Sequence, residues 1–168
     1  LTALFCLTDE ELKAAPDFLF VTRQGTVKRT RAAEYSVRKQ KFAALNLKPG
    51  DALLDVLPAD DADTLLLVSE KGMCIRFPAS EVPAQGRVAG GVKGMTLAVG
   101  DAVILASALR AGMEVLVLSE RGNMKRVPEL DFETQSRGGK GSRIISFNKN
   151  VSTGTRVAAA LAYAPTDG

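Results

Sequence analysis

Three stretches of the chain repeat one order of apolar and polar residues: FLFVTRQGTVKRT (18–30), LLLVSEKGMCIRF (65–77) and VLVLSERGNMKRV (115–127). Each runs through four mostly apolar residues, a Thr or Ser, two polar residues, a Gly, two further residues and a basic position. The glycines Gly25, Gly72 and Gly122 stand 47 and 50 residues apart. A β-rich run, a three-residue link ending in Gly and a second run predict a hairpin whose glycine takes the left-handed position of a bulged turn. A second anchor recurs in phase, since LNLKPGDALL (45–54) matches MTLAVGDAVI (95–104), and NVSTGTRVAA (150–159) is a looser third copy around Gly154. These segments read as a turn followed by another strand, with Pro49, Gly50 and Asp51 supplying the first reversal.

Sustained helical spacing is absent, apart from a short turn near 9–15. An all-β period near 50 residues predicts propeller-like blades of four-stranded antiparallel sheet, or a related radial repeat. The divisions are an end of a preceding blade at 1–16, blades at 17–62, 63–111 and 112–163, and a tail at 164–168, all in one domain.

Composition narrows the chemistry. Of 168 residues, 46% are apolar but only 5% aromatic, so a large core is available and must be built mainly from Leu, Val, Ala and Ile. With no histidine, neither a His-based triad nor a histidine-ligated zinc centre can form. Cys6 and Cys74 belong to no CxxC pair and read as buried thiols in a reducing compartment. No apolar run approaches the roughly 18–20 residues that span a bilayer, and the first residues are followed by acids rather than preceded by a basic segment. A cytosolic protein is expected. The acidic stretch DALLDVLPADDAD (51–63) lacks the spacing of a calcium loop and reads as a solubilising turn.

A net charge of +3 conceals a strong oscillation along the chain. Arg23, Lys28, Arg29, Arg31, Arg38, Lys39 and Lys41 face one acid, Glu34, and are followed by a stretch carrying acids alone. The sign reverses again over Lys71, Arg76, Arg87 and Lys93. Lys28 and Arg29, Arg76, and Lys125 and Arg126 occupy equivalent places after the hairpin glycines, so a radial array is expected to set them at equivalent depths on its rim. The loops SVRKQKFAAL (36–45), PAQGRVAGGVKGM (83–95) and TQSRGGKGSRI (134–144) are equivalent too, and each is basic.

The last of these loops admits two readings. A phosphate cradle of nucleotide-binding type needs a following helix and a Lys-Ser/Thr pair, whereas SRIISFN reads as a strand. A loop on the backbone of duplex DNA needs glycines for close approach and cations for phosphate oxygens, which Arg137, Lys140 and Arg143 supply. No aromatic is interleaved with these cations, so stacking on a single strand is unsupported. Three copies of a cation cluster suit a surface that tracks a polyanion.

These residues resemble the C-terminal domain of the bacterial DNA gyrase A protein and of the related topoisomerase IV. QSRGGKG (135–141) is similar to that family's glycine-rich box: Gln135, Arg137, Gly138, Gly139, Lys140 and Gly141 fit it, and Ser136 stands where the strongest boxes carry a cation. Residues 72–101 and 119–141 resemble successive interior blades, and the likeness covers about 17–163. The resemblance implies a β-pinwheel of five or six blades that exchange strands, so three units suggest an interior portion or a shortened domain. It also implies a non-catalytic, cytoplasmic and nucleoid-associated module that bends or wraps duplex DNA around a basic rim. Its implied partners are the rest of the gyrase A protein and the gyrase B protein, with no membrane. This domain is expected to need no cofactor and no metal, ATP and magnesium serving only the parent enzyme. The alternatives are a topoisomerase IV domain or a propeller-like module binding an acidic protein.

Overall fold

The computed structural model describes residues 2–37 and 41–165. A short helix, α1 (Asp9–Ala14), begins at Thr8, whose hydroxyl accepts from Glu11 N while Glu11 accepts from Thr8 N, satisfying two amides that a helix start leaves unpaired. No described helix is long and apolar enough to cross a membrane. Among the described residues eleven strands follow: β1 (Asp17–Thr22), β2 (Thr26–Thr30), β3 (Leu53–Ala59), β4 (Thr64–Ser69), β5 (Met73–Pro78), β6 (Val92–Lys93), β7 (Val103–Leu109), β8 (Glu114–Ser119), β9 (Met124–Pro128), β10 (Ser142–Arg143) and β11 (Val157–Tyr163).

The repeated template has a local cause. Gly25, Gly72 and Gly122 all adopt a left-handed φ of 78–81°. Their amides donate to Thr22, Ser69 and Ser119 carbonyls at 3.0 Å. The hydroxyls of those same Thr and Ser residues accept from the amides of Thr26, Met73 and Asn123, closing each turn a second time. The other anchor ties the third strand of each unit to the hairpin. Asp51 accepts from Gln24 N and Asp101 from Lys71 N, both at 2.9 Å. In the third unit the polarity reverses, because Thr155 stands in the Asp place. Glu120 now accepts from Thr155 N and Oγ1 and from Arg156 N. Burial works against this carboxylate's charge, but those hydrogen bonds outweigh it and hold its pKa down at about 2.

The sheets run β3-β1-β2-β6, β10-β5-β4-β7 and β11-β8-β9. All strand pairings within them are antiparallel. The outer strand of each of the first two sheets comes from the following unit. Thr26 and Val27 pair with Lys93 and Val92, and Cys74 and Met73 with Ser142 and Arg143. The first two sheets thus have the expected four strands, the fourth of each supplied by the following unit, and among the described residues the third sheet has three. The strands are apolar without alternation because two of the blades are covered on both faces. Leu19 and Val21 meet Leu65 and Leu67 in one cluster, while Leu66 and Val68 meet Val115 and Val117 in the next. Phe18 and Phe20 turn the other way, against Tyr35 and Leu12. On β8 the burial alternates, with Leu116 and Leu118 half-buried on the uncovered face.

Candidate nucleic-acid interface

The strand cations do not lie at one depth. Arg29, Arg76 and Arg126 sit opposite Leu19, Leu66 and Leu116 in their hairpins. Each reaches the first residue of the neighbouring strand, respectively Asp17, Thr64 and Glu114. Arg29 also pairs with Asp61, and Arg76 with Glu129 as well as the Glu129 and Phe132 carbonyls. Their side chains are only 13% and 14% exposed, against 67% for Arg126. The repeated cation is thus a cross-strand tie in the first two blades, and only the third copy is open to solvent.

Lys28 departs furthest from the expected rim position, being fully buried. Its ammonium donates to Ala44 O at 2.6 Å and to Arg87 O, and lies 5.2 Å from the centre of the Phe20 ring. The phase-equivalent Lys125 is exposed and donates to Ile144 O at 2.8 Å. Burial, aided by the nearby Arg87 charge, pushes the Lys28 pKa down from 10.5 to about 8. Between those values the unfolded chain binds a proton that the folded chain does not, so stability should rise with pH across that window. The wild type should accordingly gain on Lys28→Met by on the order of 1 kcal/mol or more between pH 7.5 and 10, about 2–4 °C in Tm per kcal/mol. An unchanged difference in melting temperature would show that Lys28 keeps its proton, and its ordinary pKa, inside the fold.

The box loop is held by its own protein. Gln135 N donates to Arg76 O, Arg137 N to a Glu81 carboxylate oxygen and Gly138 N to Gly94 O, each at 2.8 Å. The Arg137 guanidinium turns inward onto the Glu81 and Lys93 carbonyls. This corrects the expectation that the Arg137 side chain lies open to phosphate. Gly138, at φ +86°, and Gly139 would each meet only ordinary neighbours. Gly141, at φ +73°, is the tight one: a Cβ there would lie 2.0 Å from Cys74 O. Gly91 repeats this fit one unit earlier, 2.5 Å from Val27 O. These two glycines let the exchanged strands lie against the backbone of the preceding hairpin.

What remains exposed converges beside the loop. Lys140 and Arg143 line a hollow of about 480 Å³ together with Lys71, Val99 and Asp101. A neighbouring hollow of about 420 Å³ holds Lys48, Lys93 and Gln24 and shares the Thr96–Ala98 wall. Five exposed cations thus meet one carboxylate, Asp101, which is already occupied by Ser69 Oγ and the Lys71 and Ala102 amides. Lys48 and Lys71 were absent from the sequence-derived set, although Lys71 directly precedes a hairpin glycine and so occupies a repeated place. Glu81 and Thr96 carried no signal, because their role is visible only once two units are docked.

The other candidates are dispersed. Arg31 and Lys41 are exposed, and Arg87 is half-buried over the Phe42 ring at 5.4 Å. Arg38 and Lys39 lie outside the described residues. In the acidic turn Asp61 and Asp63 are ion partners of Arg29 and Arg110. No cluster of three metal-ligating side chains occurs among the described residues.

A family model described as DNA gyrase C-terminal domain, beta-propeller, matches residues 16–60, 63–109 and 114–159. The DNA gyrase A protein of Deinococcus deserti is 38% identical over 146 residues, covering 83% of this chain and 18% of that protein. Its counterpart in Pseudomonas aeruginosa is 37% identical over 153 residues, covering 89% and 16%. The chain therefore spans less than a fifth of these curated relatives. Among solved structures, the C-terminal domain of DNA topoisomerase IV superposes with a TM-score of 0.82 at 31% identity, over 88% of this chain and 46% of that one. A DNA gyrase A C-terminal domain superposes at 0.75 and 23% identity, over 95% and 51%, and shares the fold. Repeat phase, exchanged strands and these matches together place the chain in the DNA gyrase C-terminal domain family.

Proposed function

We propose that the chain is a non-catalytic module of a cytoplasmic bacterial type IIA topoisomerase, part of a gyrase A protein, and that it binds and bends duplex DNA. The carrying observation is the convergence of Lys71, Lys140 and Arg143, beside Lys48 and Lys93, on adjoining hollows. Such a surface suits a phosphate backbone read without regard to sequence, since flexible cations contact phosphates and nothing there is built to recognise base edges. Its partners would be duplex DNA, the remainder of the gyrase A protein and the gyrase B protein.

A duplex carrying a fluorophore at each end tests this reading. Its ends should approach on addition of the protein at low salt, and separate again as salt rises. Retardation of DNA without approach of the ends would remove bending from the proposal. Indifference to DNA, with binding to an acidic protein instead, would replace it with an interaction module.

A further inference from the structure

We infer that Glu81 and Thr96 of the second unit are positioning residues that grip the box loop of the third, turning Arg137 inward and presenting Lys140 to phosphate. This rests on the DNA-binding reading above. The loop is clamped from two sides. On one side the Glu81 carboxylate accepts from Arg137 N at 2.8 Å while the Glu81 carbonyl accepts from Arg137 Nε at 3.2 Å. On the other, Thr96 Oγ1 donates to Gly138 O at 2.7 Å and Thr96 N to Gly139 O at 2.8 Å. A carboxylate receiving a backbone amide makes a charge-assisted bond, stronger than a neutral one.

The preceding loop shows what the clamp adds. There Asn46 N donates to Ala89 O at a longer 3.3 Å, and no carboxylate accepts from Arg87 N among the described residues. Arg87 Nε is buried without a partner. Of these two loops, the third unit's is the one fixed at both its arginine and its glycines. With Arg137 committed to the protein, Lys140 and Arg143 are the loop cations left to solvent, and both line the hollow with Lys71. Fixing an exposed loop before binding reduces the conformational freedom lost on binding, and so raises affinity without adding a contact.

Charge and position predict opposite signs at Glu81. Were it merely an acid near a polyanion, its removal would tighten DNA binding; as a positioning residue, its removal should weaken it. The test uses the whole 168-residue chain and a plain duplex, with the melting temperature of each variant as a folding control. Glu81→Ala and Thr96→Val should each bind about five- to tenfold more weakly, equivalent to about 1–1.4 kcal/mol. Glu81→Gln and Thr96→Ser keep an acceptor and a hydroxyl and should bind nearly as wild type. Equal or tighter binding by Glu81→Ala, or weakening by Glu81→Gln as large as by Glu81→Ala, would overturn the inference while leaving the DNA reading intact. A wild-type chain that ignores DNA would instead remove the function on which it rests.

Discussion

Gly141→Ala should separate the exchanged strand from the second blade and cost the protein more than about 4 kcal/mol, a loss reserved for a few disruptive mechanisms. Two of them act together here. At φ +73° an alanine pays about 1–2 kcal/mol for the left-handed conformation alone. Its Cβ would also stand 2.0 Å from Cys74 O and 2.7 Å from the carbon of that carbonyl, both backbone atoms that no rotamer change can move. Relief requires β10 to leave β5, which strips the pairing of Ser142 with Cys74 and uncovers Ile144 and Ile145 in the cluster between the last two blades. A fall in Tm of about 10 °C or more is expected for a chain of this size. Gly112→Ala is the control: it has a similar φ of +79° but open space around it, so it should cost only about 1 kcal/mol. Equal melting temperatures for the two variants would mean that the close approach of the exchanged strand does not support the fold.

Replacing Lys71, Lys140 and Arg143 together by Ala should leave stability within about half a kcal/mol, because exposed charges contribute little to it. Its effect on DNA should be large. Three phosphate contacts account for a change of about 2.7 in the slope of log affinity against log salt. If the electrostatic part fades near 1 M salt, that slope corresponds to roughly 100-fold weaker binding at 0.15 M. Arg29 and Arg76 are unsuitable for such a comparison, since their partners Asp17 and Glu129 are left without a counter-charge when they are removed.

The three-unit architecture was legible because its template residues do local work. A hydroxyl acceptor, a left-handed glycine and an Asp that caps its own unit's hairpin turn each leave a mark at fixed spacing. The exposure of a strand cation has no such mark. Lys28 and Lys125 share a phase, yet the segment around Ala44 and the loop carrying Arg87 enclose only the first. The box was likewise visible as a string, but the inward turn of Arg137 depends on Glu81 of another unit, 56 residues away. Strand exchange itself followed from the family resemblance and not from any spacing in the chain. The glycines that permit it, Gly91 and Gly141, stand fifty residues apart in phase, while Lys41 occupies that place in the first unit. There the segment folds onto its own blade, where Ala44 O receives the Lys28 ammonium.

The central claim is that DNA is held by its phosphates, and a salt titration of duplex binding by the wild-type chain tests it most directly. About six neutralised phosphates predict a slope of log affinity against log salt near −5, reduced to about −2 in the Lys71, Lys140 and Arg143 triple variant. A flat profile for the wild type, or the same slope in both proteins, would contradict it.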